Sequence, residues 1–138
     1  MLTDMDQSTW NAAYEVNVRG TMLVTKHCLP MLLESGGGSI INTSSGTSLL
    51  GDIFNPAYSS SKAAVNALTR NTATQYGKQG LRCNAIAPGL ILTDLSRSFL
   101  PPESLAMIEK HTMMPRLGEP SDIAVSYTHL TLPTKQMV

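Results

Sequence analysis

Charge and aromatic rings are scarce in this chain. Ten Lys and Arg balance ten Asp and Glu in 138 residues, and the basic residues do not cluster. The basic patch expected of nucleic-acid and membrane-surface binders is missing, so neither partner is expected. No apolar run reaches the ~18 residues of a transmembrane helix. The opening MLTDMDQSTW lacks the basic-then-apolar order of a signal peptide, so a cytoplasmic setting is the expectation. Cysteine is used twice, at Cys28 and Cys83, in apolar surroundings and at no metal-type spacing. Buried free thiols in a reducing compartment are expected, with no disulfide and no metal. A phosphate loop is missing too. Gly36-Gly37-Gly38 follows a helical pattern and precedes a strand, whereas a phosphate loop needs strand, glycines and helix in that order. These glycines read as a helix stop and turn.

What is present has the length of about one domain. Asp6, Ser8 and Thr9 offer N-cap chemistry to a long helical pattern reaching about Leu33, and Pro30 is expected to kink its last turns. The pattern is apolar on more than one stripe, so burial on two sides is expected. A short strand, Ser39–Asn42, leads through a polar loop to a helix from about Ala57 to Tyr76. Ser59, Ser60, Ala63, Ala64 and Ala67 give that helix small residues for close approach of a neighbour. Gly77 and Gly80 stop it. A second strand, Leu81–Ala87, ends at Pro88-Gly89.

Helix, strand, helix and strand with short connections predict an α/β fold, a parallel sheet covered by helices. Ligands bind such sheets beyond the strands' carboxyl ends. The polar clusters Thr43–Gly46 and Pro88–Thr93 are therefore expected to share a cleft. Asp94–Met114 reads as lid-like helical pieces, and Pro115–Ala124 as a turn and helix start capped by Ser121. Residues 125–138 are expected not to continue that helix, because VSYTHLTLPT carries β-branched residues and a proline. One back-translation of it spells the transposon-end adapter of sequencing libraries. The expectation is that 1–124 is one Rossmann-type domain part and 125–138 a non-native read-through, with Tyr127 and His129 given no role.

Chemistry concentrates between Gly38 and Lys62. Tyr58 and Lys62 stand four residues apart, which puts them on one helical face. A free phenol titrates near pH ~10, and a cation held beside it favours the phenolate. Such a tyrosine can exchange a proton with a carbonyl or alcohol oxygen while hydride moves at carbon. Ser45, thirteen residues before Tyr58 at a predicted strand end, can hold the same oxygen. Tyr-x-x-x-Lys alone is more often a solvated helix face; the serine makes chance much less favoured.

Further motifs make the chain similar to one family over Leu2–Ala124: Asn17 in Asn-Val-Arg-Gly, Asn84-Ala-Ile-Ala-Pro-Gly-Leu-Ile-Leu-Thr, and Pro115-Arg-Leu-Gly-Glu-Pro. With the Ser-Tyr-Lys set they resemble the short-chain dehydrogenase/reductases, in their most populated branch. The resemblance implies a Rossmann-like doubly wound parallel sheet and NAD or NADP as cofactor. It implies Asn17, Ser45, Tyr58 and Lys62 as catalytic residues, with Asn17 bracing a water that relays protons from the lysine. Ser44 is the weaker serine candidate, its spacing to Tyr58 being one too long. Lys62 would also bind the nicotinamide ribose beside Tyr58. Pro88 and Gly89 would turn the chain beneath the nicotinamide, and the Ile91 backbone and Thr93 hydroxyl would bind its carboxamide. Asp52, Ile53, Phe54 and Leu95–Met114 would line the substrate pocket. A homodimer or homotetramer pairing the long helices is implied for the parent.

The chain departs from the family's pattern. No Gly-x-x-x-Gly-x-Gly turn follows a strand, and no residue selecting the adenine ribose is identifiable. The glycine-rich N-terminal βαβ part and the last strand are read as missing, and Met1 falls in what would be a linker. The expected function is NAD(P)-dependent hydride transfer with a small carbonyl or secondary-alcohol substrate, belonging to the parent protein. The chain alone is expected to fold poorly and to be inactive. The alternative is a truncated fragment or non-catalytic interaction module of the same fold. A hydrolase using Ser45 with His27 or His111 ranks far below, since the Gly-x-Ser-x-Gly elbow is absent.

Overall fold

The computed structural model describes residues 1–52 and 54–132. Ile53 and residues 133–138, on which parts of the pocket and tail expectations fall, lie outside the described residues. Two strands, β1 (Gly38–Thr43) and β2 (Leu81–Ile86), pair in parallel, with Gly38 opposite Leu81 and Thr43 opposite Ile86. The crossover between them is α4 (Pro56–Tyr76). A parallel pair cannot be closed by a hairpin, so a helix of this length is the natural connection. The expected α/β architecture is present.

Before β1 the long helix runs as α1 (Gln7–Tyr14), a π-helical segment (Glu15–Gly20) and α2 (Thr21–Glu34). Asp6 caps it, its carboxylate accepting from the Thr9 N–H at 3.1 Å. Pro30 lies inside α2, which continues past it to Glu34. The irregular turn holds Asn17 and was not foreseen; a π segment leaves no mark in hydrophobic periodicity. Cys28 is exposed, against expectation, whereas Cys83 is buried. Cys28 borders a groove between α2 and the open edge of β1, which nothing in the described residues fills.

The helix α4 buries Ala57, Ser61, Val65, Thr69 and Thr72, one stripe at three- and four-residue spacing. Val65 packs with Leu81 and Cys83 of β2 into a small core. Of the small residues expected to accept a neighbouring helix, Ala67 is exposed. Gly77 and Gly80 close α4 as expected, through a 3-10 turn and a left-handed Gly80.

The four-residue α3 (Thr47–Leu50) follows β1, while α5 (Asp94–Phe99) and α6 (Pro102–His111) follow β2. The last helix, α7 (Pro120–Thr131), packs against β1. Glu119, not Ser121, is its N-cap; Pro120 occupies the first turn, where its missing N–H costs nothing. The helix also corrects the reading of 125–131 as non-helical. Arg82 donates to the carbonyls of Leu130, Thr131 and Leu132, and Ser39 Oγ donates to Leu130 O. A cation on the last carbonyls, together with packing on the sheet, overrides weak local propensity.

Arg116 and Asp122 form a two-pronged pair at 2.8 and 2.9 Å that pins the Pro115–Glu119 turn to α7. The Arg116 guanidinium and the Glu119 N–H hold the Asp122 carboxyl down to about 2. A carboxylate with a lowered folded value stabilises above its ordinary range and loses that contribution as pH falls through the folded value. Acid titration of the full-length protein should therefore lose stability between about pH 4 and 2 through this pair. Asp122→Asn should flatten that slope. An unchanged slope means the exposed pair is too well screened to matter.

Candidate active site

The strand ends meet where the fold brings them. Ser44 N–H donates to Ile86 O at 2.7 Å and Gly46 N–H to Pro88 O at 2.8 Å, so the two post-strand segments are bonded to each other. Ser45, Tyr58, Pro88 and Gly89 line one cleft of about 890 Å³. Of the two polar clusters expected to share a cleft, Ser45 and Gly46 meet Pro88, Gly89 and Leu90 there, whereas Thr43 borders the groove beside β1. The cleft's other walls include Leu50, Phe99, Leu100 and Ile108, with Asp52 at its edge. Of the expected pocket residues, Phe54 stands 80% exposed outside this lining.

Tyr58 lies in the first turn of α4, 40% exposed. One turn further, Lys62 places its Nζ 5.7 Å from the Tyr58 ring centroid, within cation–π range. Its ammonium donates to Thr43 O at 2.9 Å. Burial pushes Lys62 below the ordinary lysine value, since desolvation penalises the charged form. An ammonium has three donors, and one is held by Thr43.

Asn17 Nδ2 donates to Ser61 Oγ at 2.9 Å, and Ser61 Oγ donates to Tyr58 O at 2.7 Å. The π-helical turn is thus tied to the turn of α4 that carries Tyr58. Ser61 is wholly buried. Sequence reasoning missed it, although its position three residues after Tyr58 on the same helix was a usable signal. Asn17 and Lys62 border the groove beside β1, of about 600 Å³, rather than the cleft of Ser45. Lys62 reaches the Tyr58 ring from that groove.

Ser45 is buried, and its Oγ shares a 3.1 Å hydrogen bond with Thr47 Oγ1 and accepts from Thr47 N–H at 3.3 Å. Ile91 and Thr93 follow Leu90, the last residue of this segment to line the cleft. Ile91 bridges in parallel to Gly118 and borders an adjoining cavity of about 470 Å³, which shares Gly89 and Leu90 with the cleft and also touches Arg116 and Asp122. Thr93 Oγ1 accepts from Ser96 N–H at 3.1 Å as the N-cap of α5. Ser96, unremarked in the sequence, holds this corner, donating to Ile91 O at 3.0 Å. Neither His27 nor His111 lines the cleft with Ser45; His111 Nδ1 instead bonds Met107 O. Among the described residues no cluster of His, Cys, Asp or Glu is arranged to hold a metal ion. No helix among them is long and apolar enough to cross a membrane.

A parallel sheet, a helical crossover and a cleft at the strands' carboxyl ends define a Rossmann-like α/β chain. All of it, residues 1–138, matches the family described as enoyl-(acyl carrier protein) reductase. The chain belongs to the short-chain dehydrogenase/reductases. It is 38% identical over 123 residues to a probable short-chain type dehydrogenase/reductase of Bradyrhizobium diazoefficiens, covering 89% of this chain and 44% of that protein. A short-chain type dehydrogenase/reductase from Mycobacterium ulcerans superposes with a TM-score of 0.92 at 33% identity, over 99% of this chain and 50% of that one. A 7α-hydroxysteroid dehydrogenase solved with NADH and 7-oxo glycochenodeoxycholic acid superposes with a TM-score of 0.91 at 37% identity, over 98% and 53%. The chain spans about half the length of the curated relatives it matches.

Proposed function

We propose that the full-length protein bearing this chain is an NAD(P)-dependent oxidoreductase that interconverts a carbonyl and a secondary alcohol, with Tyr58 as proton donor and acceptor. The observation that carries this reading is a single cleft lined by Ser45 and Tyr58, with the Lys62 ammonium 5.7 Å from the Tyr58 ring. The donor set fits a nicotinamide ribose: Lys62 has N–H groups beyond the one given to Thr43, and Pro88-Gly89 forms a side-chain-poor floor. Lys62, Tyr58, Pro88, Gly89, Ile91 and Thr93 would hold the cofactor on this chain, and the cofactor supplies or accepts the hydride.

The chain's own residues handle the proton. In reduction the Tyr58 O–H gives its proton to the substrate oxygen as the carbon receives hydride; in oxidation the phenolate takes that proton back. Lys62 keeps a positive charge 5.7 Å from the Tyr58 ring. Ser45 Oγ holds the substrate oxygen as a neutral donor, and Asn17 steadies the Tyr58 turn through Ser61. Leu50, Leu90, Phe99, Leu100 and Ile108 favour a substrate with an apolar body beside its reacting carbonyl. Val16, Val24 and Met31 stand exposed on the long helix, which supports pairing of that helix between copies.

The test is a spectrophotometric assay of the full-length protein with NAD+ and NADP+ against a panel of apolar secondary alcohols. Formation of reduced nicotinamide is expected with at least one pair. Saturable cofactor binding without turnover on any alcohol would favour the non-catalytic module instead. We also propose that residues 125–138 are library read-through. Resequencing the source locus by another library method should give different codons after Ala124, and the same codons would reject this.

A further inference from the structure

Among the described residues, two side-chain hydrogen bonds tie the Ser44–Ser48 segment to α4. Ser44 Oγ donates to Lys62 O at 3.1 Å, and Asn66 Nδ2 donates to Ser48 Oγ at 2.8 Å. Ser48 Oγ passes its own proton to the carbonyl of Ser45 at 2.6 Å and lies 3.0 Å from Ser44 Oγ. We propose that Asn66 is a positioning residue: acting through Ser48, it sets the place of Ser45 relative to Tyr58. This rests on the reading of Ser45 as the group that holds the substrate oxygen.

Proton direction decides what this chain of bonds can hold. A serine hydroxyl has one proton and can accept as well as donate. Because the Asn66 amide donates into Ser48 Oγ, the Ser48 proton is left for the Ser45 carbonyl. Asn66 stands on the same rigid helix as Tyr58, eight residues on, which is about 12 Å along the axis. The bond therefore references the Ser45 backbone to the element that carries the catalytic phenol. The Ser45 hydroxyl bonds only locally, to Thr47; its backbone neighbours are held to the β2 side, and the ties to α4 run through Ser44 and through Ser48, whose N–H also donates to the Ser45 carbonyl at 3.0 Å.

An aspartate at the same position has the same shape and the opposite polarity. An ionised carboxylate only accepts, so in Asn66→Asp the Ser48 proton turns away from Ser45 O. In the full-length protein this variant should lose about 10–100-fold in kcat/KM for the carbonyl substrate, the scale of a small misplacement of a catalytic group. Cofactor dissociation constant and thermal midpoint should hold. The decisive readout is a double-mutant cycle. In a Ser45→Ala background the same Asn66→Asp change should cost almost nothing, because the group it positions is gone. Ser48→Ala breaks the relay from the loop side and should reproduce the loss, also if Asn66→Asp fails to fold. Undiminished activity in both single variants, or an equal loss with and without Ser45, overturns the proposal. If Tyr58→Phe and Ser45→Ala themselves leave turnover intact, the reading of the site falls and this inference with it. If those two abolish turnover and the Asn66 and Ser48 variants do not, only this inference falls.

Discussion

Replacing Tyr58 with phenylalanine in the full-length protein is expected to lower kcat by about 10²–10⁴-fold, the range of a positioned general acid or base. The substitution removes one oxygen and leaves the ring. The ring is 40% exposed at the cleft, so stability should change little. The Lys62 contact to the ring face at 5.7 Å survives, and the Lys62 bond to Thr43 O does not involve the phenol. The loss should therefore fall mainly on the chemical step, with cofactor affinity changing far less than kcat, since Lys62 and the Pro88–Gly89 turn keep their contacts. Carbonyl reduction and alcohol oxidation should suffer together, since one group serves both directions. Retained turnover would assign the proton to another group and remove Tyr58 from the mechanism.

That prediction uses residues visible in the sequence because their relation is local. Four residues on a helix put Tyr58 and Lys62 on one face whatever surrounds them, and a serine after an apolar run lands at a strand's carboxyl end. What was hidden depends on tertiary partners. Ser61 and Asn66 are ordinary polar residues of α4 until the structure bonds one to Asn17 and the other to Ser48. The π-helical turn that presents Asn17 has no sequence period of its own. Ile91 and Thr93 matched a motif, yet their surroundings are set by Ser96, just past that run, and by the bridge to Gly118 far along the chain. The helix through 125–131 was illegible for another reason. Most of its anchors, from Arg82 and Ser39, fall on main-chain carbonyls, which any helix-forming segment of that length would offer. Tyr127, whose hydroxyl lies 2.5 Å from Thr43 Oγ1, is the side-chain exception.

At the opposite end of the sheet, Gly37→Ala should destabilise the full-length protein by about 3 kcal/mol, combining left-handed backbone strain of ~1–2 with overpacking of ~1–3. The glycine run is a helix stop, as its order in the sequence requires. Gly36 N–H bonds Leu33 O and Gly37 N–H bonds Leu32 O, the paired bonds of a Schellman cap. Gly37 sits at φ +119°, and a Cβ there would lie 2.3 Å from the carbonyl oxygen of Gly80. Gly80, at φ +83°, would in turn meet Gly36 O at 2.7 Å. Both neighbours are backbone and neither can rotate aside. Gly36→Ala is the control: φ is +88° but nothing lies within 4 Å, so only the ~1–2 kcal/mol of backbone strain applies. Thermal melts should place Gly37→Ala roughly 5 °C or more below Gly36→Ala; coincident midpoints would mean that the backbones do not cross this closely. The crossing matters to the cleft because Gly38 N–H bonds Gly80 O and starts a register that carries through to Thr43 and Ile86. A one-residue slip would turn every strand side chain to the other face and separate Ser45 from Pro88. Gly37→Ala should accordingly lower the melting point far more than it lowers kcat below that point, because a folded molecule has no second register in which Gly46 N–H still finds Pro88 O.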